Sequence, residues 1–392
     1  MRILFWMNTG FQTTSRHILI SVLRALCEKG HKVTVIHKSE NDNINILKDL
    51  NKYDIEFRAI DVKKAAKANL IHRYVLEWVY LLKSRRSIAK DFDVAFVQSS
   101  NMLGLYVWCL RNKNKKARIV LNVQDIFPIN ASLSGNLSKK GVPYKILSSL
   151  QRYAYKKASH IITISEDMKE TLIEEGAEES KISVIYNWSY QDKPYDRRNI
   201  DFTNVSHMFS KEKFNVVYAG NIGVMQNVEI VVRTANLLKE NRKIQFHIIG
   251  DGVHKDKLVA MARELSLDNI SFWPMMSSDD APAIYASADV NVIPLVKDVY
   301  KTALPSKTAT CFACGKPIVF CIGNESKFVQ YAKSNTNCLS VDSDDSIALK
   351  KVIISVCQNT KIIGYDKFFL ENFSETYNSE RYAECIGEVD YK

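Results

Sequence analysis

The feature that most limits how this chain can fold is a series of short apolar strand candidates separated by helical stretches. "RILFWM", "KVTVIHK", "IEFRAI", "DVAFVQ", "RIVLNVQD", "HIITIS" and "ISVIYN" fall in the first half, and "FNVVYAG", "IQFHIIG", "ISFW", "VNVIPL", "PIVFCI" and "CLSV" in the second. Near-continuous Val/Ile runs joined by helices indicate parallel sheets covered on both faces. Between the first two strands, "RHILISVLRALCEKGH" has helical apolar spacing and ends on Gly30, a helix stop. Two sheets accommodate a dozen such strands better than one. The break falls in residues 187–213, which are polar, aperiodic and rich in turn formers. The expectation is an α/β chain of two Rossmann-like doubly wound domains, at 1–195 and 196–370. A C-terminal helix at 371–392 is expected to pack back toward the first domain.

Composition sets few further limits. The 392 residues are 46% hydrophobic and 25% charged, ordinary for a folded soluble protein. The opening "MRILFWM" is too short for a signal-peptide core or a membrane helix, and no other apolar run approaches the roughly 20 residues that span a bilayer. The eight cysteines are scattered; Cys311 and Cys314 form the one CxxC pair, without a second pair at zinc spacing. They read as small helix residues in a reducing compartment. Charge is uneven. Residues 1–195 carry 31 Lys/Arg against 19 Asp/Glu, whereas the remainder carries 23 against 24. A basic half suggests an anionic partner, nucleic acid or a membrane surface.

In open parallel sheets, ligands bind beyond the carboxyl ends of strands, so the loops after strands are where chemistry is sought. "YAGNIGVMQN", residues 218–227, carries Gly220 and Gly223, which allow a tight turn and close backbone approach. "IIGDG" places Gly250, Asp251 and Gly252 after another strand. "LPSKTATCFACGKP", residues 304–317, reads as a helix entered at Ser306, with Lys307 beside its free N–H groups and Gly315 and Pro317 closing it. A lysine at a helix start is a receptor for a diphosphate, or simply a surface cation. In the first half, "NVQDIFPINAS" puts Asp125 after a strand, where it caps a turn or takes a proton from a hydroxyl. "TGFQTTSRH" offers Gly10 and Arg16 to the same region.

Several activities are disfavoured. The chain has no G-x-x-x-x-G-K-[ST], no G-x-G-x-x-G after its first strand, and no H-E-x-x-H. "DSDD" at 342–345 reads as a polar turn, and His31 and His247 as structural residues.

The ordered motifs "GHKVTVI", "VQDIFP", "ISEDMKETLIEEG", "KISVIYNW", "YAGNIG", "IIGDG" and "LPSKTATCFACGKP" resemble the large retaining glycosyltransferase family with the GT-B fold, especially its bacterial surface-polysaccharide branch. The resemblance covers about residues 1–345. It implies two Rossmann-like domains facing a cleft, with a nucleotide-sugar donor on the second and an acceptor on the first. Carried onto this sequence, it assigns donor contacts to Gly220, Asn221, Gly223, Gln226, Gly250, Asp251, Gly252, Ser306, Lys307 and Thr310. Gly10, Arg16 and Asp125 would face the acceptor, and Asp125 and Lys307 would be catalytic. The negative group beside Lys307 would then be the departing pyrophosphate, and no metal or other cofactor is expected.

The sequence departs from the family pattern where two glutamates usually stand. Thr302 and Thr310 occupy those places, and Asn221 with Gln226 or Asn227 replaces the usual arginine and lysine of the glycine loop. A non-catalytic partner subunit and a nucleotide-sugar epimerase of the same fold therefore stay open as alternatives.

Two basic and aromatic stretches bear on the partner. Residues 61–92 carry Lys63, Lys64, Lys67, Arg73, Lys83, Arg85, Arg86 and Lys90, with Tyr74, Trp78 and Tyr80 among them; residues 138–159 repeat the mixture. Helices of this type lie on anionic membranes, and no nucleic-acid motif accompanies them. The reading is a glycosyltransferase moving a hexosyl or N-acetylhexosaminyl group. It would run from a nucleotide-sugar, uridine-diphosphate linked, to a polyprenyl-diphosphate-linked glycan of capsule, O-antigen or exopolysaccharide. It would work in the cytoplasm, peripherally on the inner face of the membrane.

Overall fold

The structure is a computed structural model that describes residues 1–11, 16–39, 50–62, 70–359 and 364–387. Contacts divide the chain into two compact units. Unit 1 is Met1–Tyr186 with Glu375–Lys392, and unit 2 is Asn187–Ser374. The contacts thus divide at 186/187 and 374/375, where the sequence placed breaks at 195/196 and 370/371.

Unit 1 runs β1 (Arg2–Trp6), α1 (Arg16–Glu28), β2 (Lys32–Lys38), β3 (Ile55–Ile60), α2 (Leu70–Ser84), β4 (Val94–Gln98), α3 (Leu103–Lys113), β5 (Arg118–Val123), α4 (Ile129–Leu133), α5 (Val142–Lys157), β6 (His160–Thr163), α6 (Glu166–Glu174) and β7 (Ile182–Val184). Its sheet has the order β3-β2-β1-β4-β5-β6-β7, with every pair parallel.

Unit 2 runs β8 (Phe214–Ala219), α7 (Glu229–Leu237), β9 (Ile244–Ile249), α8 (Lys255–Glu264), β10 (Ile270–Trp273), α9 (Ala281–Ser287), β11 (Val290–Pro294), α10 (Lys307–Ala313), β12 (Ile318–Cys321), α11 (Lys327–Asn335), β13 (Leu339–Val341), α12 (Ser346–Gln358) and α13 (Asp366–Phe373). Its sheet has the order β10-β9-β8-β11-β12-β13, again parallel. A final helix, α14 (Glu375–Gly387), belongs to unit 1. Every strand candidate of the sequence is a strand; the central β9 and β11 are buried at every position, as expected where helices cover both faces of a parallel sheet, whereas the edge strands β3 and β10 are only partly buried.

Local signals fix the helix ends. After α1, Gly30 adopts φ +78° and the His31 N–H returns to the Leu26 carbonyl at 3.1 Å. Ser165 caps α6 by accepting from the Met168 N–H at 3.1 Å. Gly315, at φ +65°, closes α10 before β12. The short helix α10 is held by an aromatic cluster: Phe312 stacks on Phe373 at 5.5 Å and meets Phe368 at 4.9 Å and Tyr365 at 5.0 Å. Each such buried ring contributes about 1.5–3 kcal/mol, and together they set the direction in which the first turn of α10 points.

The last helix completes unit 1 rather than trailing from it. Tyr382 is fully buried; its hydroxyl donates to Asn122 Oδ1 at 3.1 Å and accepts from Gln124 Nε2 at 3.2 Å. Arg381 donates to the Val184 carbonyl at 2.9 Å, and Ser21 donates to Glu375 at 2.8 Å.

Candidate active site

In each sheet the chain winds one way, then the other, and ligands collect where the direction changes. In unit 2 that point lies between β8 and β11. The loops that leave these two strands are tied to each other, the Val296 N–H bonding the Met225 carbonyl at 2.9 Å. Lys307, the first residue of α10, reaches into this place from the loop after β11. Its Nζ lies 3.8 Å from the centre of the Tyr218 ring, at the end of β8. Tyr218 is fully buried and its hydroxyl donates to the Asn221 carbonyl, which fixes the ring.

No carboxylate pairs with Lys307 among the described residues. The ring face of Tyr218 is its nearest compensation, and a cation over an aromatic face gains about 0.5–2 kcal/mol. Burial pulls the Lys307 ammonium down to about 7. The site is therefore a desolvated cation without a counter-ion, which favours an arriving anion.

Gly220, at φ +132°, makes room for that cation. A Cβ on it would stand 2.9 Å from Lys307 Nζ. Gly250 and Gly252 have a packing role in addition to the one the sequence suggested. A Cβ on Gly250 would meet the Gly220 carbonyl oxygen at 1.9 Å, and one on Gly252 the Ile222 oxygen at 2.4 Å. Their missing side chains let the loops after β8 and β9 pack backbone on backbone, sealed by bonds from the Gly220 N–H to Ile249 at 2.9 Å and from the Ile222 N–H to Asp251 at 2.8 Å. The Asp251 carboxylate accepts from the Gly252 N–H at 2.8 Å and so holds its own turn. At Gly223, the amides of Asn221 and Gln226 close over the glycine, 3.3 Å apart.

Three expectations are revised. Ser306 is helical in backbone and its side chain makes no capping bond, since the turn continues from Pro305, whose carbonyl takes the Thr308 N–H at 3.1 Å. Thr302 is fully buried with its hydroxyl on the Val299 carbonyl at 3.0 Å, so it shapes the loop. Asn227, at φ +46°, donates to the Ser343 carbonyl, which leaves Gln226 as the loop's adaptable amide. Thr310 stands three residues after Lys307, on the same face of α10.

In unit 1 the change of direction lies between β1 and β4. Asp125 follows β5. Its side chain reaches solvent, yet the surrounding chain thins its hydration and pushes its pKa up to about 6. Gly10 follows β1 and is buried, and Arg16 opens α1, half-buried; residues 12–15 between them lie outside the described residues. The structure adds a group that the sequence did not single out. Glu77, on α2, is buried and accepts from the Ser100 hydroxyl, at the end of β4. Burial raises its pKa, against the lowering influence of the Ser100 bond and Lys38. Asn8 donates to the Ser99 carbonyl at 3.0 Å and Thr9 to Gln98 at 3.3 Å, which completes a polar lining. The available signal was a glutamate inside the apolar helical run "YVLEWVYLL".

His247 is a core residue. It accepts from Trp273 Nε1 at 3.2 Å and meets Asn215 Oδ1 at 3.1 Å, and burial pulls its pKa down to about 4. Cys311 is buried and Cys314 half-buried, both as free thiols, and burial raises both. Among the described residues no group of three or more His, Cys, Asp and Glu side chains is gathered to hold a metal ion.

Two doubly wound parallel sheets, the second with Lys307 at its switch point, define an α/β protein of two such units. Residues 17–188 match the family model "Glycosyltransferase Family 4" and residues 213–359 match "Glycosyl transferases group 1". The chain belongs to these glycosyltransferases and has the GT-B fold. It is 27% identical over 308 residues to the probable glycosyltransferase WbjE of Pseudomonas aeruginosa, covering 76% of each chain. It is 29% identical over 204 residues to the putative colanic acid biosynthesis glycosyl transferase WcaI of Escherichia coli K12, covering 51% of this chain and 50% of that one. In fold it is similar to the Anabaena protein HepE solved in complex with UDP, with a TM-score of 0.72 at 14% identity, covering 99% of this chain and 100% of that one.

Proposed function

We propose that this glycosyltransferase moves a hexosyl or N-acetylhexosaminyl group from a UDP-sugar to a lipid-linked glycan in bacterial polysaccharide biosynthesis, with retention at the sugar carbon. The observation that carries the proposal is Lys307: a desolvated ammonium at the switch point of unit 2, on the face of Tyr218, with no carboxylate paired to it among the described residues. A diphosphate beside it restores its charge balance. As the bond to the sugar breaks, negative charge grows on that diphosphate, and Lys307 with the N–H groups of the α10 start stabilises it. The backbone-packed loops of Gly220 and Gly250 hold the pocket rigid, so the charge meets pre-set donors. No metal is needed in this scheme, because the lysine supplies the cation.

Asp125 and the polar lining of Glu77, Ser100 and Asn8 are assigned to the acceptor. A carboxylate with pKa near 6 is ionised at neutral pH and accepts a hydrogen bond from an acceptor hydroxyl. The UDP assignment is supported by the nucleotide in HepE, and the polysaccharide assignment by the colanic acid relative. The lipid-linked acceptor and peripheral attachment to the inner face of the membrane are supported by the surface of unit 1. Trp78 and Trp108 are half exposed beside Arg85. No helix among the described residues is long and apolar enough to cross a membrane. Part of the basic stretch, Lys63, Lys64 and Lys67, lies outside the described residues, as do the side chains of Arg73 and Tyr74. Tyr80 is withdrawn from this surface: it is fully buried and donates to the Met7 carbonyl.

Thermal-shift titration against nucleoside diphosphates tests the donor, since a ligand of the native state raises its melting temperature. UDP alone is expected to shift it. NMR of the product of a UDP-sugar reaction then reads the anomeric configuration. An inverted product removes the retaining scheme. A second reading, donor binding without turnover, is favoured by Thr302, which is bonded into its own loop and offers nothing to a ligand. Turnover with any acceptor glycan excludes it.

A further inference from the structure

Unit 1 has a two-part depression on the helical layer formed by α2, α3 and α5. The first part is an apolar groove of about 590 Å³ lined by Trp78, Leu81, Leu82, Trp108, Leu150 and Tyr153. Its floor exists because α3 and α5 touch at Gly104, where a Cβ would stand 2.2 Å from the Leu150 carbonyl oxygen. Trp78, Leu82 and Trp108 stay 46%, 48% and 50% exposed, a concentration of large apolar side chains that a helix pair normally covers. The second part, about 720 Å³, shares Trp108 and Tyr153 with the groove. It is lined by Arg111, Lys115, Lys156, Lys157 and Lys181. Lys181 pairs with Glu178, and the other four have no carboxylate partner among the described residues. Arg111 is held in place by the carbonyls of Lys115, Ala117 and Lys157 at 3.1, 2.9 and 2.7 Å. These bonds orient the guanidinium without neutralising it.

We propose that this depression binds one anionic phospholipid, with one of its two hydrocarbon chains in the groove and its phosphate in the basic pocket. The proposal rests on the membrane-surface reading above for the source of the lipid, and it separates that lipid from the acceptor. Lys115, Ser159 and Lys181 precede β5, β6 and β7, so the basic pocket lies at the amino ends of these strands. Asp125 follows β5, at the carboxyl end. Six residues of strand put about 20 Å between the two ends. A phosphate in the pocket therefore sits a strand length from the acceptor side. The bound lipid is an anchor that fixes how unit 1 lies on the bilayer, and it is not the molecule being glycosylated. The groove's volume falls in the about 300–1,000 Å³ range of small-molecule sites, enough for one chain rather than a bilayer patch.

The test uses the full-length protein and brominated-chain dioctanoyl phosphatidylglycerol below its micelle concentration, with quenching of Trp78 and Trp108 fluorescence as the readout. Saturable quenching is expected, at least tenfold weaker with the phosphatidylcholine of the same chain. The double variant Lys156→Ala/Lys157→Ala is expected to weaken the phosphatidylglycerol affinity at least tenfold, and Leu82→Glu to do the same from the groove side with an unchanged circular dichroism spectrum. Equal affinity for the two headgroups, undiminished binding in either variant, or no quenching overturns the proposal. So does full competition by millimolar inorganic phosphate, which would make the pocket a simple anion site. Displacement by an equimolar polyprenyl phosphate would hand the groove to the acceptor's lipid and also overturn it. UDP affinity measured on the same samples is expected to stay unchanged. Its absence in the wild type would count against the donor reading while leaving the lipid result standing.

Discussion

The two switch points share a topology and oppose each other in charge. In unit 2, the point between β8 and β11 holds Lys307 over an aromatic ring, with glycine loops around it. In unit 1, the point between β1 and β4 is lined by Glu77, Ser100 and Asn8, with Asp125 two strands from β1. On the proposed reading, one place takes a diphosphate and the other takes hydroxyl groups. The comparison teaches that the parallel sheet fixes where ligands go, while a few side chains decide which ligand each place accepts. It also shows a common cost. Both Lys307 and Asp125 are held where their charged forms are disfavoured.

The sharpest way to break the comparison is to remove the cation. Losing a charge-assisted contact costs about 1.5–3 kcal/mol, so Lys307→Ala should lower kcat/KM roughly ten- to two-hundred-fold. Unchanged steady-state kinetics would exclude the lysine from the mechanism. Lys307→Met adds a second readout. The folded pKa is lowered, so the unfolded chain binds more protons between about 7 and 10.5, and stability rises with pH across that window. The methionine variant should lose this slope in pH-dependent melting, and it should be the more stable protein at neutral pH.

Removing the opposite charge comes next. Asp125→Asn should reduce kcat/KM for the acceptor about ten- to a hundred-fold while leaving UDP affinity alone. The rising limb of the pH–rate profile, expected near 6 because the ionised form accepts the hydroxyl proton, should disappear in that variant. A limb that persists would belong to another group.

A third measurement reads proton uptake. Because the diphosphate favours the charged lysine, UDP affinity should weaken as pH rises above about 7, by up to roughly tenfold per unit. Calorimetry in buffers of different ionisation enthalpy would detect the proton, and an affinity that stays flat from pH 7 to 9 would contradict the desolvated state of Lys307.

The smallest effect is expected at Glu77. Its folded pKa is raised, so its charged form destabilises the fold as pH rises above the ordinary glutamate range. Glu77→Gln keeps an acceptor for the Ser100 hydroxyl and should change stability at pH 7 by less than about 1 kcal/mol, while flattening that pH dependence in urea titrations. A loss of several kcal/mol would assign Glu77 to the framework of unit 1.

How much of this was legible depends on the range of the interaction. The strands, the stops at Gly30 and Gly315 and the place of Lys307 at the start of a helix follow from residues close in sequence. Glu77 did not stand out, because its partners Ser100 and Lys38 lie far from it along the chain. Ser306 was misjudged as a cap for the same reason, since a capping residue looks identical in sequence to a helix residue, and the packing role of Gly250 was hidden in the same way.

By itself the sequence determined two parallel α/β sheets, since alternating runs buried on both faces have few other solutions, and it singled out the lysine at the start of α10. Only the tertiary structure decided that this lysine rests on Tyr218 with no carboxylate paired to it among the described residues, that Gly250 packs against a neighbouring loop, and that a basic pocket adjoins an apolar groove on unit 1. Those are through-space facts. Packing brings residues a hundred positions apart within a few ångströms, and the electrostatic consequence of that proximity is written in no local pattern.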